Sequence, residues 1–448
     1  MRITPDYTSM QKWEDYGNNL LLEYKQSIEE GLDIEKYKDL FEAAARLEPS
    51  PERAGIADTL FNIVNCANIR EDYKYNEPSD LEGIRKLCPD GTKLPSFDKE
   101  KLSDKLSGAW LGRAVGCLLG KPIEGIRTDE LNVLIKTSGN YPMHRYIVSD
   151  DITDDMYENF RFRLRGRCFA DTVSCAPVDD DTNYTVLYQM VVDKYGRDFT
   201  AENVGEAWLD LQPKRAYCTA ERVAFLNLAA GYKPPFSAIY KNPFREWIGA
   251  QIRGDYFGYI NPGDPKTAAD MAWRDASVSH IKNGIYGEMF IAAMIACAAC
   301  DISIEDVIMG GLSQVPLTSR LYEKVTEVIE KYRSGVSCQD CFKFIHEEFD
   351  EYSEHGWCHT ISNAMIVAAA LLYGKGDFTR SICLAVQTGF DTDCNGATVG
   401  SVIGMMYGTA AISEDWAKPI NGVIDTSIFG VGKIDISSAV QKTLSHIK

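Results

Sequence analysis

The sequence predicts an all-α fold, a multi-helix bundle with an N-terminal helical extension. Three observations point to it. Long apolar runs rich in Ala, Gly and Met recur at LSGAWLGRAVGCLLG, GEMFIAAMIACAAC, NAMIVAAALLYG and GATVGSVIGMMYG, and their length favours helices over strands. Two of these runs place glycine at every fourth position, Gly108, Gly112, Gly116 and Gly120, then Gly396, Gly400, Gly404 and Gly408. Finally, residues 1–69 show helical periodicity with acidic faces, as in LDIEKYKDLFEAAARLE.

Taken in order, residues 1–69 form an accessory helical segment, in which Pro51 after Ser50 marks a capped helix start. Residues 70–100 collect Pro, Asp and Gly turn signals and read as a linker crossing the surface. From residue 101 to 448 the small-residue apolar texture defines one large helical domain. Its glycine stripes ask for a packing reason, since each interior glycine costs roughly 1 kcal/mol against alanine. A neighbouring backbone in close approach supplies it. Residues 209–265, rich in aromatics and prolines, read as loops over the mouth of a site or as an ordinary packed surface loop.

Composition narrows the function. With 448 residues and a net charge of −18, the chain is a poor partner for nucleic-acid phosphate, which needs clustered Lys and Arg. The first residues show neither a signal-peptide nor a transit-peptide pattern, so a cytoplasmic location is expected. Thirteen scattered cysteines fit reduced thiols. The uncharged stretch from Cys394 to Ser413 is rich in Gly, Thr, Ser and Asn, and reads as a buried helix, not a membrane span.

Two acidic clusters each precede an apolar helical run: Asp179-Asp180-Asp181-Thr182 ahead of VLYQMVV, and Asp391-Thr392-Asp393-Cys394-Asn395 ahead of the second glycine-striped helix. Carboxylates at a helix start are favoured by the dipole, so either cluster alone reads as capping. Brought together in a helical core, they would repel one another and lose hydration unless a cation compensated them. Oxygen ligation selects hard ions, Mg²⁺ or Mn²⁺ over Zn²⁺.

At these residues the sequence resembles the ADP-ribosylglycohydrolase family over roughly residues 103–412. Gly108-Ala-Trp-Leu-Gly112 through Gly116, Gly120 and Glu124 is similar to the family's opening helix and its active-site glutamate. Asp180-Asp181-Thr182 resembles its Asp-Asp-Thr metal motif, Ser279-His280 its Thr-His pair, and Asp391-Thr392-Asp393 its Asp-Thr-Asp-Thr motif. The resemblance implies two Mg²⁺ or Mn²⁺ ions at the centre of the bundle. They would be held by Asp179, Asp180, Asp181, Asp391, Asp393 and Cys394. It further implies Glu124, Asp180 and Asp393 as catalytic residues, with His280, Gly249 and Trp247 facing the substrate.

The pattern departs from the family at four places. Asp179 stands where Ser or Thr is usual, Cys394 replaces the final threonine ligand, and Cys117 replaces a frequent aspartate. Trp247-Ile248-Gly249-Ala250-Gln251-Ile252-Arg253 matches the end of a Gly-Asn-Gly-Ala-x-Met-Arg segment but lacks its first Gly and its Asn. In relatives that segment approaches a diphosphate, so Trp and Ile there imply a different pocket.

Other constellations carry less. Ser149 to Met156 is acidic but leads into a polar run and reads as a solvated loop. Cys297 and Cys300 sit in an Ala- and Met-rich helix, where cysteine acts as a small hydrophobe. His355-Gly-Trp-Cys-His359 reads equally as substrate loop or helix entry. There is no P-loop and no nucleophile-elbow serine. The leading expectation is a metal-dependent hydrolase of an ADP-ribosyl conjugate on a protein side chain or a small molecule. The alternatives are another ribosyl, glycosyl or nucleoside-like substrate, and a non-catalytic binding protein on the same fold. The sequence leaves the oligomeric state open.

Overall fold

The computed structural model describes residues 4–89, 91 and 94–448; the first three residues of the accessory segment and positions 90, 92 and 93 of the expected linker lie outside them. The fold is all-α. The strand pairing among the described residues is one short antiparallel pair, Val423–Ile424 with Ile434–Asp435.

Two helices make the axis of the molecule, Leu102–Gly120 and Thr392–Tyr407. Their glycine stripes face each other. A Cβ built on Gly112 would lie 2.2 Å from the carbonyl oxygen of Gly400, one on Gly116 1.9 Å from that of Gly396, and one on Gly404 2.1 Å from that of Gly108. The pairs 108/404, 112/400 and 116/396 mean that the helices run antiparallel. Backbone touches backbone along the whole stripe, which accounts for glycines that helix propensity alone disfavours. The geometry also sets the site. Gly120, ending one helix, rests on the backbone of Thr392 and Asp393, which begin the other.

Further buried helices surround this pair, among them Asp180–Tyr195, Lys282–Ala298 and Thr360–Gly374. The last is buried at every residue, as its uncharged sequence requires. Cys297 is packed into this core, its sulfur against Gly310. Among the described residues, no helix is long and apolar enough to cross a membrane.

The N-terminal helices Leu20–Glu29, Lys38–Ala45 and Pro51–Asn65 enclose a small core of their own, with Leu20, Ile34, Phe41 and Leu60 at its centre. Ser50 caps the third helix, its hydroxyl accepting from the Arg53 N–H at 3.1 Å, with Pro51 in the first turn. Buried charge joins this core to the rest. Arg245 binds Glu23 at 2.7 Å and Glu30 at 2.6 Å, and the Gln26 amide donates to Glu246 at 2.6 Å. Breaking such a buried pair leaves an uncompensated charge, at a cost of about 3–5 kcal/mol.

Two regions differ from the reading of the sequence. Within 70–100, Asp80 caps a short helix, Leu81–Leu87, whose Ile84 is wholly buried in the large core. Buried Glu77 pairs with Arg320 at 2.8 Å. The turn residues flank a core-anchoring helix, and the segment is more than a surface crossing. The segment 209–265 does reach a cavity wall, at Arg215, Cys218, Trp247 and Ile248, and differs from a loop over a site mouth in most of its aromatics, since Tyr217, Tyr256, Phe257 and Tyr259 are fully buried. Their ring area is worth more in the core than at a rim.

Candidate active site

The first acidic cluster opens the Asp180–Tyr195 helix with its carboxylates divided among different tasks. Asp179 is the N-cap. One of its oxygens accepts from the Asp181 N–H at 2.9 Å, and the other pairs with Lys121 Nζ at 2.5 Å. Burial alone would raise the pKa of Asp179, but the Lys121 ammonium outweighs this and holds the carboxyl below its usual range. Asp180 faces a cavity. Asp181 is fully buried; one oxygen accepts from Arg113 at 3.0 Å, and the other has no hydrogen-bond partner. Arg113, itself buried, also pairs with Asp255 at 2.9 Å.

The second cluster is presented by a turn at Gly389 (φ +78°) and Phe390 (φ +59°), two successive left-handed residues. The Thr392 hydroxyl donates to the Gly120 carbonyl at 2.9 Å, tying this helix start to the end of its partner. Asn363 orients the turn, its side-chain oxygen accepting from the Asp391 N–H at 3.3 Å and from the Asn395 amide at 2.8 Å. The Cys358 thiol donates to Asp391 at 3.8 Å. One buried oxygen of Asp393 has no partner.

The clusters converge, although 210 positions separate them in the chain. Ligand atoms of Asp181, Asp393 and Cys394 lie within 4.8 Å of one another, and so do those of Glu124, Asp391 and Asp393. Asp393 is common to both groups. Burial and mutual repulsion push Asp180, Asp181 and Asp393 far above the usual carboxylate range. Burial moves Asp391 to about 6; burial and the Asp391 charge move Glu124 to about 7. Crowded carboxylates with orphaned buried oxygens are the environment a hard divalent cation relieves. The residues fit such an ion. Asp179 is the least available of them, because both its oxygens are engaged. Cys394 is the poorest donor: burial and the Asp181 charge push its thiol up and keep it protonated.

The carboxylates open into a cavity of about 590 Å³, on whose wall stand Glu124, Asp180, Asp391 and Asp393, together with Trp247 and Gly249. Gly249 has no room for a side chain, since a Cβ would lie 2.0 Å from Glu221. The Trp247 indole N–H donates to His355 Nδ1 at 3.1 Å, which places the proton of the neutral ring on Nε2, bonded to Glu29 at 2.7 Å. Both ring nitrogens are thus engaged, and the Glu29, His355 and His359 group is a polar brace with no lone pair of His355 left for a metal. Trp357 and Cys358 from the same stretch reach the cavity, while His359 caps the next helix.

His280 is the exception. Expected to face the substrate, it is fully buried and borders a different cavity, beside Trp273 and Pro235. The turn after helix Pro265–Ala276 directs it inward, where burial and the Arg253 charge hold its pKa well below the usual histidine value. It connects to the acidic cavity through Ser279, Arg253 and Glu221, by contacts of 2.8, 3.1 and 2.7 Å, and through the backbone of Trp247 on the cavity wall.

Several residues of the site carry no motif. Arg113 could have been noticed as the single charge in an uncharged glycine-striped run. Lys121 follows that run directly. Gln11, Lys12 and Trp13 line the cavity from far upstream, and nothing local to them signals it.

A family model described as ADP-ribosylglycohydrolase matches residues 98–442. An uncharacterized protein of Archaeoglobus fulgidus is 23% identical over 323 residues, covering 71% of this chain and 92% of its own length. A solved ADP-ribosylglycohydrolase-related protein complex aligns with a TM-score of 0.48 and 19% identity, covering 78% of this chain and 98% of that one.

Proposed function

This chain belongs to the ADP-ribosylglycohydrolase family, and from that premise we propose that it hydrolyses the glycosidic bond of an ADP-ribosyl conjugate with divalent metal ions as cofactor. The observation that carries the reading is Asp393, a buried carboxylate shared by two acidic groups and left with an unpartnered oxygen. Two Mg²⁺ or Mn²⁺ ions fit this donor set, held chiefly by Asp180, Asp181, Asp391 and Asp393. When bound, they supply Lewis-acid polarisation of oxygen and compensate the carboxylate charge.

The chain's own residues do the rest. Arg113 fixes Asp181, and Asn363 fixes the turn carrying Asp391, so the donors do not reorganise when a substrate enters. Lys121 neutralises Asp179 and keeps one negative charge from adding to the cluster. Glu124 stands on the cavity wall within 4.8 Å of the Asp391 and Asp393 oxygens, placed to deliver or accept a proton at the scissile bond, and burial favours its protonated form. Gly249 leaves the space of a side chain to the Glu221 carboxylate, so that both stand on the cavity wall. Trp247 and Ile248 make part of that wall apolar, which supports a second reading in which the sugar conjugate is ribosyl or nucleoside-like without the full diphosphate. The substrate is a small molecule or an ADP-ribosylated side chain in the cytoplasm, with no nucleic acid or membrane as partner.

The test is to incubate the protein with ADP-ribosylated serine and arginine peptides and follow release of ADP-ribose by chromatography. Release should stop with chelator and return with Mg²⁺ or Mn²⁺, and Asp391→Asn should abolish it while the protein stays folded. Chelator-resistant release, or full turnover by Asp391→Asn, would contradict the proposal.

A further inference from the structure

The family match begins at residue 98, yet Gln11, Lys12 and Trp13 lie on the wall of the catalytic cavity. The turn Lys12–Glu14 that carries them is fixed by charge. Glu14 pairs with Arg222 at 2.8 Å and Lys214 at 2.9 Å, while Lys12 pairs with Glu354 at 2.5 Å. The Arg222 side chain is 2% exposed and that of Glu14 8%, so their contact is a buried ion pair and not an incidental surface one. Trp13 packs against the large central core, whereas the helices that follow it enclose the small N-terminal core. The Arg222 guanidinium stands over its indole, 5.7 Å from the ring centroid.

The same cavity holds Trp357, with the Arg127 guanidinium 5.4 Å from its ring, and Arg215. Among the described residues, Arg127 and Arg215 have no carboxylate partner, in a protein whose net charge is −18. The cavity therefore joins two chemistries: carboxylates that suit a cation and a sugar, and indole faces with uncompensated guanidinium groups. The second set suits a flat aromatic group carrying negative charge.

We propose that Trp13 is a substrate-selecting residue: the Gln11–Trp13 turn completes the cavity as a wall that takes the planar, phosphate-linked part of the conjugate, a nucleotide-like group, beyond the sugar. This rests on the hydrolase reading above for the sugar itself. The N-terminal segment thereby acts as part of the binding site, and substrate choice is written partly outside the family domain.

Titration calorimetry on the full chain in Mg²⁺, with ADP-ribose and ribose 5-phosphate as probes, tests this. Trp13→Ala should weaken ADP-ribose about tenfold, as loss of one base–aromatic stack does, and leave ribose 5-phosphate within about twofold. Trp13→Phe should restore most of the difference. Unchanged ADP-ribose affinity in Trp13→Ala overturns the proposal, and so does an equal loss for both ligands, which marks a structural role. Wild-type protein that takes up Mg²⁺ but binds neither probe overturns the selecting wall alone; wild-type protein that takes up no Mg²⁺ overturns the hydrolase reading and the proposal with it.

Discussion

Gly116→Ala puts a single methyl group between the two axial helices. Ordinary contact begins near 3.4 Å and the new carbon would lie 1.9 Å from the Gly396 carbonyl oxygen, so the backbones must part by about 1.5 Å at that level. The obstructing atoms are main chain, and no flexible side chain can yield. Helix propensity acts the other way, favouring alanine by about 1 kcal/mol. Overpacking of a tight core costs about 1–3 kcal/mol and more where nothing relaxes, so a net loss of about 2–3 kcal/mol is expected. Gly55→Ala is the control: it lies inside helix Pro51–Asn65, exposed, with no atom within 4 Å of an added Cβ. That variant should gain up to about 1 kcal/mol. Denaturant unfolding followed by fluorescence reads both. Because Gly396 lies three residues beyond Asp393, Gly116→Ala should also weaken divalent-metal binding. A Gly116→Ala protein as stable as wild type would refute the claim that the glycine stripe is a packing contact.

Three further outcomes follow from the site. With metal removed by chelator, Asp391 titrates near 6 and Glu124 near 7, both above their unfolded values. Folding therefore favours their protonated forms, and metal-free stability should decline as pH rises from about 4 to 7, with Asp391 contributing on the order of 3 kcal/mol across its full span. Saturating Mg²⁺ should flatten that slope in thermal unfolding; identical slopes with and without metal would count against a shared acidic centre. Arg253→Met leaves the Asp275, Glu221 and Glu288 carboxylates buried around a missing cation and should cost about 3–5 kcal/mol, measured by denaturation; a loss under about 1 kcal/mol would show that the network is not needed. Lys121→Met removes a cation beside the acidic cluster and should tighten Mn²⁺ binding while destabilising the metal-free protein; weaker Mn²⁺ binding would mean that Lys121 orders the donors instead of opposing the metal.

What was legible in the sequence was what local patterning encodes. The glycine period announced a close helix pair, and the acidic runs ahead of apolar helices announced their helix starts; Glu124 lay just beyond the stripe. The division of labour among the carboxylates was not visible there. Whether Asp179 offers an oxygen or spends both on Lys121 and a backbone N–H depends on where Lys121 falls in space. His280 shows the same limit: a motif fixes its neighbours but not which cavity the turn after Ala276 faces. The contribution of Gln11 to Trp13 depends on ion pairs with residues more than 190 positions away, Lys214, Arg222 and Glu354, and no periodicity encodes those. The expected linker concealed its helix because turn residues dominate its composition and, among its described residues, only Ile84 and Glu77 are buried.

Everything in the functional account turns on whether the two acidic helix starts share bound cations. Electron paramagnetic resonance titration of Mn²⁺ into chelator-stripped protein measures this directly, comparing wild type with Asp393→Asn. The account predicts spin-coupled or closely spaced Mn²⁺ in wild type, displaced by excess Mg²⁺, and loss of tight uptake in the variant. Uptake of equal stoichiometry and affinity by Asp393→Asn, or none by wild type, would contradict it.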